Sequence, residues 1–152
     1  MASVDYFLRI EGIPGESVDT HHPNEIVVAS WSFGESDTAT AAGGAGAGKV
    51  RFRDFRFSAV VSKASPKLVE AAARGSHIAG AVLTCRKSGG FQVEFLVLKF
   101  TDVVVSSYAT GAAAASETAP IDQVALAFAT VAIDYTEEKP DGKTAPPIQV
   151  TV

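Results

Sequence analysis

The alternation of apolar and polar residues predicts that most of this chain is β-strand. Residues 4–10 alternate well enough for a strand that turns its even-numbered side chains to one face. Further strand-like stretches cover residues 25–34, 51–61, 79–87, 91–108 and 121–135. Ser88, Gly89 and Gly90 separate two of these stretches and indicate a hairpin. The pattern of 51–61 changes parity near Arg53, which predicts a bulge or a passage from one sheet to another.

One helix is predicted between Ser65 and Gly75. Ser65 is a typical N-cap, Pro66 fits the first turn, and Gly75 is suited to the left-handed residue just past the end. The apolar stripe is expected at Leu68, Val69 and Ala72. The whole chain, residues 1–152, is therefore expected to form one mainly β domain with a helix on its side.

Two of the predicted strands have unusual outer faces. In 25–34, the residues Val27, Trp31 and Phe33 should share a face, and Ser30 and Ser32 should point away from it. In 121–135, the face opposite the core positions carries Ala125, Ala127 and Ala129, followed by Val131 and Ile133. Charged or Thr residues are usual on a solvated face, so this alanine face predicts close packing against another layer, such as a neighbouring subunit.

A glycine-rich loop, residues 36–48, separates the strand-like stretches 25–34 and 51–61. Its glycines and the lysine that follows are Gly43, Gly44, Gly46, Gly48 and Lys49. A phosphate-binding loop requires Ser or Thr after the lysine and then a helix, but Val50 and a strand-like stretch follow here. The sequence therefore favours a loop that reaches another molecule over a nucleotide site.

Composition and charge narrow the function further. The 152 residues are 47% hydrophobic, which suits one domain with a real core, and the net charge of −4 argues against a nucleic-acid partner. No apolar run is long enough to insert into a membrane, and the first residues do not resemble a cleavable signal peptide. The one cysteine, Cys85, lies in an apolar stretch and is expected to be buried and inert.

The sequence predicts no catalytic, cofactor-binding or metal-binding residues. Adjacent His21 and His22 point to opposite sides of an extended segment, and no second ligand pair follows at a usual spacing. A solvated loop or one structural hydrogen bond is the favoured interpretation of these histidines. His77 and Cys85 are too far apart along one strand to form a nucleophile and base.

The order of short motifs along the chain carries a family resemblance. The motifs are Asp5-Tyr6-Phe7-Leu8, Gly15-Glu16-Ser17, His21 ahead of Glu25-Ile26, Trp31-Ser32-Phe33-Gly34, Gly48-Lys49-Val50, Asp54-Phe55-Arg56-Phe57, Ser65-Pro66-Lys67-Leu68, Gly75-Ser76-His77, Arg86-Lys87-Ser88-Gly89-Gly90, Val93-Glu94-Phe95-Leu96, Val105-Ser106-Ser107, Phe128-Ala129 and Asp134-Tyr135. In this order and spacing the chain resembles the Hcp (haemolysin-coregulated protein) family, the inner-tube proteins of bacterial type VI secretion systems.

The resemblance implies a distorted β-barrel of two antiparallel sheets with one α-helix on its side. It implies hexameric rings that stack into a tube, effector proteins carried in the lumen, and contacts with a spike protein and a contractile sheath. By position, the glycine loop would contact the adjacent ring, and Ser32 would face the lumen and its cargo. The protein would assemble in the cytoplasm and be secreted to the extracellular space or a target cell without a cleavable signal peptide.

Two alternatives and one departure accompany the resemblance. A small-ligand or carbohydrate-binding β-barrel could use Trp31, Phe33 or Phe91 to stack on its ligand. The alternation, however, places these aromatic residues on the core-facing side of their strands. A toxin domain fused to the family domain has no room in a chain that the resemblance almost fills. The tail, residues 143–152, lacks the longer aromatic-containing ending of many members, which is a departure from the family pattern.

Overall fold

A computed structural model describes residues 3–34, 54–88, 92–115 and 119–152 and contains, within these ranges, nine strands and one helix. The strands are β1 Val4–Ile10, β2 Ile26–Val27, β3 Ser30–Phe33, β4 Asp54–Val60, β5 Ile78–Lys87, β6 Glu94–Gly111, β7 Ile121–Ala127, β8 Thr130–Tyr135 and β9 Ile148–Thr151, and the helix is α1 Ala64–Arg74.

The strands pair antiparallel throughout and form two sheets that share β6. The first sheet has the order β2-β1-β5-β6-β8-β9, and the second has the order β6-β7-β4-β3. At the edge opposite β6, the residues between β2 and β3 connect the two sheets. The Val28 N–H donates to the Tyr6 carbonyl of β1 (3.0 Å), and the Ala29 N–H donates to the Ser58 carbonyl of β4 (2.8 Å). These two hydrogen bonds link the sheets without a closed strand ladder. The predicted mainly β, two-sheet fold with one helix is confirmed.

The switch between sheets corrects the prediction of one long strand over 121–135. β7 ends at Ala127, and the Ala129 N–H donates to the Thr101 carbonyl (2.9 Å) before β8 begins. Asp102, next to Thr101, has a positive φ of 55°, so β6 also changes direction at this level. From this point, the residues that were expected on the outer, alanine face turn towards the core. Val131 is fully buried there.

A similar switch occurs between β2 and β3, which corrects the expected face of Val27. Ile26 and Val28 are buried, whereas Val27 is 57% exposed. Trp31 and Phe33 then pack against the core as expected, with Ser30 and Ser32 exposed. The change of parity expected near Arg53 falls outside the described residues.

The core lies between the two sheets and is rich in aromatic rings. Its largest fully buried side chains are Phe55, Phe100, Leu8, Leu68, Leu83 and Leu126. The Phe55 and Phe100 ring centroids are 4.9 Å apart, and Phe128 lies 4.8 Å from Phe100. Each such side chain contributes about 1.5–3 kcal/mol on burial, so this cluster holds the sheets together.

The helix α1 closes one side of the core and begins earlier than predicted. Ser65 lies inside α1 and is not its N-cap; instead the Ser62 hydroxyl accepts from the Ala64 N–H at 3.2 Å. Leu68 is buried as expected, but Ala71 is buried in place of Val69, which is 45% exposed. The predicted end is confirmed, because Gly75 adopts a left-handed φ of 61°.

Candidate functional site

The outer face of the second sheet is lined by small polar side chains. Strand pairing aligns Ser32, Arg56, Ala125 and Ser107 in one cross-strand row, and Ser30, Ser58, Gln123 and Ala109 in the next. These residues surround a concave groove of about 410 Å³. We call this surface the open face, because no other part of the described chain covers the groove.

The open face presents hydroxyl groups and one cation. The Ser30 and Ser58 hydroxyl oxygens lie 2.6 Å apart across β3 and β4. Arg56 Nη2 donates to Asp54 Oδ2 at 3.2 Å, and the Arg56 side chain is 61% exposed. Such a pair remains hydrated and contributes little to stability. Among the described residues, the face therefore presents neutral hydrogen-bonding groups and one exposed guanidinium.

The structure brings two of the sequence-predicted site residues together. Ser32 and Ala125 lie in the same cross-strand row, on either side of Arg56. Ala125 is only 2% exposed, whereas Ala127 is half-buried and Ala129 is exposed. The predicted loop residues Gly43, Gly44, Gly46, Gly48 and Lys49 lie outside the described residues.

The outer face of the first sheet differs, because a charged cluster and a loop cover it. Arg86, on β5, is 5% exposed and donates through Nη1 and Nη2 to both Asp19 oxygens at 2.9 and 2.8 Å. Its Nη2 also lies 3.2 Å from Asp5 Oδ2 on β1. The hydrogen bond to Arg86 holds the pKa of Asp19 well below its usual value, and the bond to Asp19 raises the pKa of Arg86. The pair fastens the loop of residues 11–25 to the sheet.

His22 belongs to the same cluster. It is 7% exposed and its ring stacks on Phe7 with centroids 4.7 Å apart. His22 Nδ1 lies 3.0 Å from Glu25 Oε2, and Nε2 lies 2.8 Å from Glu94 Oε2. Burial lowers the pKa of His22, but the hydrogen bonds to Glu94 and Glu25 outweigh it, so that the pKa is raised. His21 is exposed, so the adjacent histidines do point apart as predicted.

A second polar cluster joins α1 to the second sheet. Asp122, 2% exposed on β7, accepts from the Tyr108 hydroxyl at 2.7 Å and from the Ser65 hydroxyl. Burial, and then the bond to Asp122, raise the pKa of Tyr108. Ser65 and Asp122 are both buried, and the Asp122 carboxylate already accepts from two hydroxyl groups. The geometry here is that of a buried structural network, which explains why Ser65 lies inside the helix.

The other candidate reactive groups are separated. Cys85 is buried, and burial raises its thiol pKa to about 11, so the thiolate is scarce at neutral pH. His77 lies 3.1 Å from Asp102 on the surface. Within the described ranges, no three His, Cys, Asp or Glu side chains are placed to hold a metal ion. Nor does the described part of the chain contain a helix long and apolar enough to cross a membrane.

Comparison with known proteins identifies the family. The family model for "Type VI secretion system effector, Hcp" matches residues 7–135. The chain belongs to the Hcp family. It is 40% identical over 143 residues to Protein hcp1 of Pseudomonas aeruginosa, a match that covers 92% of this chain and 88% of that protein. The family resemblance drawn from the sequence is thereby confirmed.

Solved Hcp structures share the fold. The crystal structure of Hcp1 from Salmonella typhimurium is 34% identical, with a TM-score of 0.78 over 99% of this chain and 94% of that chain. A type VI secretion effector from Yersinia pestis is 30% identical, with a TM-score of 0.76 over 97% and 98% of the two chains. The Hcp assignment therefore rests on the sequence and on the fold together.

Two pairs were not predicted from the sequence: His22 with Glu94, and Arg86 with Asp19. Both pairs join residues far apart in the chain, 72 and 67 positions respectively. One signal was available: Arg86 follows the apolar run Ala79–Cys85, where a charge on a central strand needs a partner. Nothing local, however, points to Asp19 as that partner.

Proposed function

We propose that this chain is the structural tube subunit of a bacterial type VI secretion system. Six copies form a ring, the rings stack into a tube, and effector proteins travel in the lumen. The tube associates with a spike protein and a contractile sheath, and the role of the subunit is structural and not catalytic. After assembly in the cytoplasm, the tube is secreted to the extracellular space or a target cell without a cleavable signal peptide.

The open face carries this proposal. It is concave and lined by Ser30, Ser32, Ser58 and Gln123, which hydrogen-bond to many partners without demanding a particular shape. A conduit for varied effectors needs such a surface. In the proposed tube, the open face borders the lumen and Ser32 contacts cargo. The interior of the subunit is filled by Phe55 and Phe100, which disfavours the alternative of a small-ligand barrel.

The subunit contacts are proposed at two other places. Ala127 and Ala129 have exposed area next to the open face, with the buried Ala125 between them and Ser32. A neighbouring subunit packed there would place the subunit contact beside the lumen along β7. The loop residues Gly43, Gly44, Gly46, Gly48 and Lys49 are proposed to seat one ring on the next, since glycine has no side chain and permits close backbone approach.

The assembly is tested by the native mass. Light scattering after gel filtration, with negative-stain images of the peak, should give a hexamer with a central hole. A monomer at micromolar concentration would contradict ring formation. Gly46→Pro should leave the ring intact and impair ring stacking, whereas loss of the ring itself would contradict the role proposed for the loop.

The lumen assignment is tested by Ser32→Gln, with Ser76→Gln as the matched control. Ser76 is an exposed serine just after the helix, so the same change there adds bulk away from the open face. Both variants should form rings, but only Ser32→Gln should lose co-purified effector. Equal effector retention by the two variants would exclude Ser32 from the cargo surface.

A further inference from the structure

The loop of residues 11–25 is a folded unit that lies on the first sheet. Backbone hydrogen bonds close it on itself, from the Gly15 N–H to the Asn24 carbonyl (2.8 Å) and from the Asn24 N–H to the Ser17 carbonyl (2.8 Å). Side chains then fasten it to the sheet through Arg86 on β5 and Glu94 on β6. The two fastenings differ in chemistry, because one uses a permanent cation and the other uses a histidine.

The hydrogen bonds of His22 require a protonated ring. Ionised carboxylates only accept hydrogen bonds, and a neutral imidazole has one N–H to donate. His22 faces Glu25 at one ring nitrogen (3.0 Å) and Glu94 at the other (2.8 Å), so only the imidazolium can donate to both. In the neutral ring, one nitrogen lone pair would point at a carboxylate oxygen, and that contact would become repulsive.

The surrounding charges favour the imidazolium. In the described part of the chain, four carboxylates face this part of the sheet: Asp5 from β1, Asp19 and Glu25 from the loop, and Glu94 from β6. Arg86 from β5 is the cation that opposes them, and its guanidinium carbon lies 4.9 Å from the centre of the Phe7 ring on which His22 also stacks. Protonated His22 supplies a second positive charge. Its loss leaves four negative groups around one guanidinium.

We propose that His22 is a proton-controlled latch that fastens the loop of residues 11–25 to β6. When protonated, His22 bridges Glu25 and Glu94. When neutral, it keeps Glu25 and releases Glu94. The asymmetry follows from exposure, since Glu25 is 13% exposed and is three residues away in the same loop, whereas Glu94 is 43% exposed and can turn to water. The Asp19–Arg86 pair remains closed in both states.

The direction of the pH dependence follows from linkage. The pKa of His22 is raised in the fold, because the bonds to Glu94 and Glu25 outweigh the effect of burial. The latch is therefore fully closed below about pH 6.5, the ordinary value for histidine, and it opens as pH rises through the raised pKa. Mildly acidic medium fastens the loop, and alkaline medium loosens it. The latch acts within one subunit and does not depend on the proposed tube.

The test follows the ring of His22 by NMR and the loop amides by hydrogen exchange. The probes are the N–H groups of Gly15, Ser17 and Asn24, compared between pH 6 and pH 9 after correction for intrinsic exchange. The His22 pKa should lie above 6.5 and should fall in Glu94→Gln. Loop protection in the wild type should decrease about tenfold for each unit between the two pKa values. Glu94→Gln should abolish this pH dependence, because the amide oxygen accepts from the imidazolium and the amide NH2 donates to the bare nitrogen of the neutral ring.

The matched control is His77→Gln. His77 also has a carboxylate neighbour, Asp102 at 3.1 Å, but its side chain is 74% exposed. This variant should keep the wild-type pH dependence of the loop. A His22 pKa at or below the ordinary value, or unchanged pH dependence in Glu94→Gln, would overturn the latch. Loss of protection over all of β5 and β6 at pH 9 would overturn it too, since the change would then be global unfolding.

Discussion

The outer faces of the two sheets use polar residues in opposite ways. On the first sheet, Arg86 and His22 are buried and paired with carboxylates, and these pairs hold a loop of the same chain: Arg86 has 6% of its side chain exposed. On the open face, the polar residues are small or hydrated, and the Arg56 side chain is 61% exposed. Removing one member of a buried ion pair costs much stability because the other charge is left unpaired, whereas an exposed ion pair contributes little to the free energy of unfolding. The charged residues of the first face hold the fold together, whereas the polar residues of the open face contribute little to it.

The sharpest test of this contrast makes one substitution on both faces. Arg86→Met should destabilise the protein by about 3 kcal/mol, since it removes the partner of Asp19 and Asp5 from a buried network. Arg56→Met removes an exposed pair and should cost less than about 1 kcal/mol. Urea unfolding at pH 7 measures both values. Equal costs would remove the distinction between the faces.

The pH dependence of the Arg86→Met variant sharpens the comparison. In the wild type, Arg86 holds the pKa of Asp19 below its usual value, so this contribution is present above about pH 4 and is lost as pH falls through the folded pKa. The difference between wild type and Arg86→Met should therefore shrink below about pH 4. A difference that stays constant to pH 3 would mean that Arg86 acts through packing alone.

The next largest loss of stability is expected when a methyl group is added at Gly15, within the loop of residues 11–25. A Cβ at Gly15 would lie 2.5 Å from the Glu25 carbonyl oxygen, so Gly15→Ala must displace loop backbone and should cost about 2 kcal/mol. Gly111→Ala is the control on the second sheet, where a Cβ meets nothing within 4 Å, and it should be neutral or slightly stabilising. Thermal unfolding ranks the two. If they unfold alike, the loop is not tightly seated.

The smallest effect is expected on the open face. Ser58→Ala removes a hydroxyl that lies 2.6 Å from Ser30 in a hydrated setting, and it should change stability by less than about 0.5 kcal/mol. Chemical denaturation of the variant checks this. A loss above about 1 kcal/mol would mean that the serines of the open face help to hold β3 on β4.

Local patterns predicted the elements but not where the chain changes sheet. The alternating pattern correctly located β1, and Gly75 correctly marked the end of the helix. Both signals are local, since each depends on residues only a few positions apart in the chain. The break at Phe128 and Ala129 has no glycine or proline, and it depends on the Thr101 carbonyl and on the bend at Asp102. That contact exists only when β6 and β7 are paired. The sequence therefore predicted one strand where the fold has two.

The candidate site was also predicted only in part from the sequence. Alternation around Trp31 placed Ser32 on an outward face, and the family resemblance suggested its role. The alanines of 121–135 looked like one continuous face, but the sheet switch divides them from Val131. The partners of His22 could not be predicted, because the loop meets β6 only through tertiary packing.

The sharing of β6 between the sheets has a consequence for aggregation. Its first half pairs with β5 and β8, and its second half pairs with β7. Neither sheet can unfold far without freeing edges of this strand, so the chain should unfold in one step, without a long-lived form that retains a single sheet. Half-folded chains with bare strand edges are the species that join into amorphous deposits. The chain is protected from such deposits by the absence of that form.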